Sequence, residues 1–338
     1  MYICTGTPNT EENVTETPST WLLMDDRASH RSQILGVAER LGWPVTVKEV
    51  RYNRLAAFAN VFLGKHLWHA TPETKTSIAL PWPDLVIAAG RRSAPVALAI
   101  KKQSPHTKLV HLMWPDSKAG AFDLIALPEH DDISRKGDNI LRALGSPHRV
   151  MLANLNMEAA RWHNSVGRLP RPWIALLIGG SARGAEYEDA DFKTLAAYAS
   201  AEAERLGGSL LITSSPRTGE KGEELIKTIL TVPHIFHRWK PASDNPYMAF
   251  LGLADVIIVT GDSVSMCSEA CATGKPVYIF MPPHLDKGKK NFRESLFALG
   301  AAKPHTYPIR LDWQPARLPD AAAEIAHAIR TGLFKFAE

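Results

Sequence analysis

Ala254-Asp-Val-Ile-Ile-Val-Thr-Gly-Asp-Ser-Val-Ser-Met-Cys-Ser-Glu-Ala-Cys-Ala-Thr-Gly-Lys-Pro-Val277 reads as a buried strand, a polar turn, a short helix and a second buried strand. Residues 256–259 form a β-branched, wholly apolar run, as expected for a parallel strand covered on both faces. Asp262, Ser263 and Ser265 supply N-cap chemistry, Gly274 gives a C-terminal stop, and Pro276 prevents the helix from continuing. At about 100° per residue, Val264, Cys267 and Cys271 share a face suited to packing. Ser265 and Glu269, spaced i, i+4, fall nearly opposite. They lie beside a helix N-terminus, whose N–H groups favour an anion. Taken alone, the stretch describes an ordinary βαβ unit with Glu269 in solvent. A second anion-suited turn upstream alters that reading.

This upstream turn, IGGSARGA at 178–185, directly follows the apolar run 173–178. Gly179 and Gly180 let the backbone approach a ligand closely, and their N–H groups can form an anion nest. Ser181 and Arg183 add a hydroxyl and a cation, so phosphate is the natural guest; a flexible strand-to-helix loop is the plainer reading. The glycine spacing fits neither a dinucleotide fingerprint nor a P-loop. The turn TSSPRTG at 213–219 follows the next strand and projects Ser215, Arg217 and Thr218 from the same edge. Asn245 reads as an N-cap before Pro246, with Tyr247 packing in the core or stacking on a base.

In the first half, Asp26, Arg27 and His30 lie on the turn after the strand at 21–24. Gly90, Arg91 and Arg92 follow another strand, and Glu129, His130 and Asp131 a third. His30 or His130 suits a general base, since imidazole titrates near pH ~6.5. A solvated loop histidine is the plainer reading of each. Arg91 and Arg92 can meet phosphate or an acidic partner, or stay hydrated.

Strand patterns at 45–50, 84–88, 108–113 and 122–126 alternate with helical stretches, notably 93–102. A second series runs through 173–178, 209–213, 235–239, 256–259 and 277–281, with Phe192, Leu195, Ala199, Ala203 and Leu206 on one helical face. The expected class is α/β, with two Rossmann-like, doubly wound domains facing across a cleft. The expected boundaries are a disordered tail at 1–19, an acceptor-side domain at 20–165, a nucleotide-sugar-side domain at 166–315, and a closing segment at 316–338. That closing segment holds a helix that packs back on the first domain.

At 338 residues the chain exceeds the usual size of one core. Its 39 basic and 35 acidic residues give +4, scattered rather than striped, which argues against nucleic acid as a partner. Three cysteines (Cys4, Cys267, Cys271) make no disulfide framework and suggest a reducing compartment. No histidine cluster accompanies them at metal-ligand spacing, so no metal site is expected. No apolar run approaches the ~20 residues that span a bilayer, which leaves only peripheral membrane contact. With no signal or transit pattern at the N-terminus, the expected location is cytoplasmic.

Taken in order, AAGRRSAP (88–95), PEHD (128–131), LIGG (177–180), NPY (245–247), VTGDSVSM (259–266) and SEACATGKPV (268–277) resemble a known family. It includes the plant mitochondrial-fission factor of the elongated-mitochondria type and bacterial proteins often labelled nucleoside-diphosphate-sugar epimerases. The likeness runs from Trp21 to about Pro304. Ser29 stands where the family usually has glycine before the histidine, and Ser215 or Pro216 where an arginine is usual.

More distantly, the second half is similar to the donor domain of two-Rossmann-domain (GT-B) glycosyltransferases of the peptidoglycan N-acetylglucosaminyltransferase type. That resemblance implies a UDP-sugar substrate, an unknown acceptor and no tightly bound cofactor. It places Gly179, Gly180 and Ser181 at the diphosphate and Glu269 on the ribose hydroxyls. Arg183, Ser215, Arg217, Thr218, Asp262, Ser263, Ser265 and Met266 are the other donor-side candidates, and His30 or Asp26 the base. Two alternatives stand beside a glycosyltransferase: a non-catalytic recruitment module, and a nucleotide-sugar 2-epimerase on the same fold. A short-chain epimerase is excluded, because the chain lacks both Gly-x-Gly-x-x-Gly and Tyr-x-x-x-Lys.

Overall fold

A computed structural model describes residues 17–129, 131–181, 186–240, 244–285 and 290–336. Among them, twelve strands form two six-stranded sheets, and every pairing between named strands is parallel. The first sheet contains β1 (Thr20–Met24), β2 (Val45–Glu49), β3 (Leu85–Ala89), β4 (Lys108–Leu112), β5 (Leu124–Pro128) and β6 (Ile140–Ala143). Its helices are α1 (Ala28–Leu41), α2 (Asn60–Leu63), α3 (Pro72–Ser77) and α4 (Ala94–Gln103). After α5 (Leu152–Val166), the second sheet contains β7 (Trp173–Leu177), β8 (Ser209–Thr213), β9 (His234–His237), β10 (Val256–Thr260), β11 (Val277–Phe280) and β12 (Lys303–Pro304). With it go α6 (Asp189–Leu206), α7 (Gly219–Ile229), α8 (Tyr247–Leu253), α9 (Val264–Ala272) and α10 (Lys290–Leu299). The chain closes with α11 (Ala321–Ala328).

Both sheets are buried on both faces, which is why their central strands carry apolar residues without alternation. On β1, Leu22 and Met24 join Ile34 and Val37 of α1, while Trp21 and Leu23 join Val96 and Ile100 of α4. On β10, Val256 and Ile258 face the α6 side, and Ile257 and Val259 face Cys267 and Cys271 of α9. The two cysteines are thus small core residues, as the helical wheel indicates. α11 contributes Ala322, Ile325 and Ala326 to the first domain's core.

Strand order decides where a ligand can bind. The first sheet runs β2-β1-β3-β4-β5-β6 and the second β12-β11-β10-β7-β8-β9. In each the winding reverses once, between β1 and β3 and between β7 and β10. Ligands in open α/β sheets sit at such reversals, beyond the carboxyl ends of the strands. Asp25 to His30 follow β1 and Gly90 to Arg92 follow β3, so they meet at the first reversal. Gly179 and Gly180 follow β7 and Asp262 follows β10, so they meet at the second.

Two differences from the sequence reading concern organisation. The 165/166 division puts α5 in the first domain, yet Leu155 packs in a core cluster with Ala175 and Leu177 of β7. A Cβ at Gly252 of α8 would lie 2.7 Å from the Leu155 carbonyl oxygen, so the two helices touch backbone to backbone. The chain crosses between β6 and α5 through residues 144–151. Strands β6 and β12 are the other difference: both are edge strands, four and two residues long, mostly half-buried and too short to show a strand pattern.

Candidate active site

At the first reversal, the buried Asp25 carboxylate receives the His30 imidazole, with Nδ1 3.1 and 3.0 Å from its two oxygens. Gly90 makes room for that ring. Its φ is +77°, and a Cβ there would lie 2.3 Å from His30 Cε1, so neither the backbone nor the space admits a side chain. Arg92 donates from Nη2 to Asp25 at 3.2 Å and to Asp26, and its guanidinium lies 4.6 Å over the Tyr52 ring. Burial alone would raise the Asp25 carboxyl; the His30 bond, the Arg27 backbone N–H and the Arg92 charge outweigh it and hold it below the ordinary range. With Nδ1–H donating to Asp25, the lone pair falls on Nε2, the tautomer a general base needs.

Asp26, the other candidate base, is exposed and ion-paired with Arg92. Asp25, which sequence reasoning passed over, is the residue that orients His30. Its signal was available: it is the first polar residue after a wholly apolar strand. Arg27 is exposed. Arg91 turns away from any phosphate, donating to the carbonyls of Phe58 at 2.6 Å and Ala56 at 2.8 Å. Glu129 is exposed, Asp131 pairs with Arg135 at 2.8 Å, and His130 lies outside the described residues.

The second reversal is close-packed. The Gly179 N–H donates to Thr260 Oγ1 at 2.7 Å and the Gly180 N–H to Asp262 Oδ2 at 3.2 Å. Both peptide groups expected to face phosphate therefore hold protein oxygens instead. What the glycines supply is space: a Cβ at Gly179 would lie 2.3 Å from Asp262 Oδ2, and one at Gly180 2.2 Å from the Arg217 carbonyl oxygen. Asp262 also accepts from Tyr187 at 3.2 Å and pairs with Arg217 Nη1 at 2.5 Å. Thr218 and Ser215 donate to the Gly179 carbonyl at 2.5 and 3.0 Å, clasping the loops together. Ser181 accepts from the Tyr187 N–H at 2.9 Å; Arg183 lies outside the described residues.

Helix α9 carries the reversal towards the first domain. Ser263 caps it, accepting from the Met266 N–H at 3.3 Å; Ser265 and Met266 are half-buried. The Glu269 face of α9 makes an interdomain contact. Ser268 Oγ accepts from the Ser146 N–H at 3.0 Å, and Glu269, 8% exposed, accepts from Ser32 of α1 at 3.0 Å and from the Tyr247 hydroxyl at 2.6 Å. Burial pushes the Glu269 carboxyl above its ordinary range despite those two bonds, and pushes the Tyr247 phenol well up. Asn245 accepts from the Tyr247 N–H at 3.0 Å, one residue ahead of Pro246, which holds the N-cap position of α8 that the sequence suggested for Asn245. Because Ser32 sits two residues from His30 on α1, the Ser32–Glu269 bond sets the imidazole's helix directly against the carboxylate's. Ser32 gave no signal in the sequence; its role depends on how the domains meet.

The chain matches the Mitochondrial fission ELM1 family model over residues 28–333. A Rickettsia prowazekii protein is 29% identical over 309 residues, which is 82% of this chain and 87% of the relative. The Arabidopsis thaliana Mitochondrial fission protein ELM1 is 30% identical over 276 residues, or 74% of this chain; the match spans 64% of the Arabidopsis protein's length. Among solved structures, the UDP-GlcNAc 2-epimerase of Neisseria meningitidis bound to UDP-GlcNAc aligns with a TM-score of 0.56 at 14% identity, covering 94% of this chain and all (100%) of that one. The Methanocaldococcus jannaschii UDP-GlcNAc 2-epimerase aligns with a TM-score of 0.58 at 14% identity, covering 93% and 100%. At such identities the likeness speaks for the two-domain GT-B-type fold alone. The family match spans nearly the whole chain, and this protein belongs to the Mitochondrial fission ELM1 family.

Proposed function

We propose that the cleft between the two switch points binds a nucleotide-diphosphate sugar and transfers the sugar to an acceptor hydroxyl, with His30 as general base. The observation that carries this reading is the meeting of two built features where α1 packs on α9: the Asp25–His30 pair, with His30 on α1, and Glu269 on α9, linked through Ser32. Ribose hydroxyls would bind Glu269 by exchanging with Ser32 and Tyr247, which requires the two domains to part slightly. The α9 N-terminus and Arg217 then face the diphosphate, where preorganised donors stabilise the leaving group. Asp25 would hold the imidazole tautomer and stabilise the imidazolium formed as the acceptor loses its proton.

The second reading, 2-epimerisation, is favoured by the two solved epimerases that share the fold. One experiment separates the readings. The protein is incubated with UDP-N-acetylglucosamine in deuterated water, and UDP release and deuterium at the sugar C2 are followed together. UDP release without C2 exchange, with the sugar passing to water as the stand-in acceptor, and lost in His30→Ala, is the expected result. C2 exchange replaces transfer by epimerisation. Neither product with any UDP-sugar, and no saturable binding, would leave a non-catalytic recruitment module.

A further inference from the structure

We propose that the excursion between β2 and β3, residues 51–82, is a docking surface for an anionic lipid bilayer. Six large apolar side chains of this segment are exposed: Leu55 (42%), Phe58 (56%), Val61 (79%), Phe62 (74%), Trp68 (58%) and Leu80 (75%). Fifteen large apolar side chains are that exposed among the described residues, so more than a third of them fall in under a tenth of the chain. A concentration of this kind marks an interaction surface rather than ordinary scatter.

The segment is held in place, so its exposure is built in. Arg91 ties down the carbonyls of Ala56 and Phe58, and Asn60 donates to the carbonyls of Arg91 and Pro115, each at 2.7 Å. Asn53 donates to the Trp68 carbonyl at 2.8 Å, Tyr52 pairs with Ala70, and the His66 ring stacks on Trp68 at 4.5 Å. Holding Phe62 and Val61 outwards on α2 costs solvation, and no hydrophobic core among the described residues includes them.

Charge selects the occupant. Between 51 and 82 the cations are Arg51, Arg54, Lys65 and Lys75 and the only acid is Glu73, so four minus one gives +3. None of the four cations is ion-paired to a carboxylate among the described residues. A groove of 610 Å³ beside them is lined by Leu67, Ile78, Leu80 and Trp82, with Lys65 and Lys102 on its walls. Exposed apolar side chains and exposed cations on one short segment suit the boundary between acyl chains and anionic headgroups. No helix among the described residues is long and apolar enough to cross a membrane, so this is contact with one leaflet.

The test is co-sedimentation of the full chain with vesicles of phosphatidylcholine alone or doped with phosphatidylglycerol, without nucleotide, so that it stands apart from the cleft reading. Binding is expected to the doped vesicles, weakening as salt rises. Val61→Ser with Phe62→Ser should lower the bound fraction about tenfold. Arg54→Glu with Lys65→Glu should abolish the preference for doped vesicles. Circular dichroism and thermal unfolding should match wild type in both variants, since all four side chains are exposed. Wild-type protein left in the supernatant with doped vesicles would overturn the proposal. So would a concentration-dependent dimer, lost in the serine variant, without vesicle binding, because a second copy would then cover the face.

Discussion

Tyr247→Phe removes one oxygen from the pair that holds Glu269, and its effect can be worked out. The phenol donates at 2.6 Å to a carboxylate that is almost wholly buried. A hydrogen bond to a charged acceptor contributes about 1.5–3 kcal/mol, and one to a neutral acceptor about 1 kcal/mol. Burial raises the folded-state pKa of Glu269, so the folded protein binds this proton more tightly than the unfolded chain does. Its contribution is fully present below the ordinary glutamate range and is lost as pH rises through the folded pKa. Above its folded pKa the carboxylate is charged and leans most on Tyr247. The substitution should therefore cost about 2 kcal/mol once pH has risen through the folded pKa, and about 1 kcal/mol below the ordinary glutamate range. In calorimetry that is a fall in Tm of about 4–8 °C at the higher pH for a domain of this size. A cycle with Glu269→Gln should show coupling at the higher pH that shrinks at the lower. Equal losses at both pH values, or no coupling, would refute the idea that a buried, ionised Glu269 rests on this phenol.

Gly90→Ala should destabilise the protein by about 1–2 kcal/mol from its left-handed backbone alone, and it should displace His30, seen as a shifted imidazole resonance in NMR. Arg40 donates from Nη1 and Nη2 to the carbonyls of His148 and Val150 on the crossover, and from Nε and Nη2 to Asp320. Arg40→Ala leaves those carbonyls unpaired, so a loss of about 2–4 kcal/mol is expected in chemical denaturation. Cys267 and Cys271 are buried, and burial pushes the Cys271 thiol up to about 12. In a Cys4→Ser background neither should react with a thiol reagent at pH 8 until denaturant is added; labelling of that native protein would show that the α9 core opens.

The central strands were legible because burial on both faces leaves a plain apolar run, as at 173–178 and 256–259. The glycine turns were legible as well, since close approach demands glycine whatever lies opposite. What lies opposite was not. Gly179 and Gly180 were read as phosphate donors, yet their N–H groups meet Thr260 and Asp262, which arrive from a strand some eighty residues away. Arg91 and Arg92 look equivalent in sequence; the backbone sends one to loop carbonyls and the other to Asp25. Glu269 was legible as a donor-side candidate, but its partners Ser32 and Tyr247 were not, because one helix's periodicity says nothing of a second domain packing against it.

The central claim is that Glu269, the α9 N-terminus and Arg217 form one nucleotide-diphosphate pocket facing α1. Isothermal titration with UDP and UDP-N-acetylglucosamine, on wild type and Glu269→Ala, tests it directly. Saturable binding to wild type at one site, weakened at least about tenfold in the variant (about 1.4 kcal/mol), is the predicted result. Equal affinity in both proteins would contradict the account, and so would the absence of heat with either ligand up to millimolar concentration.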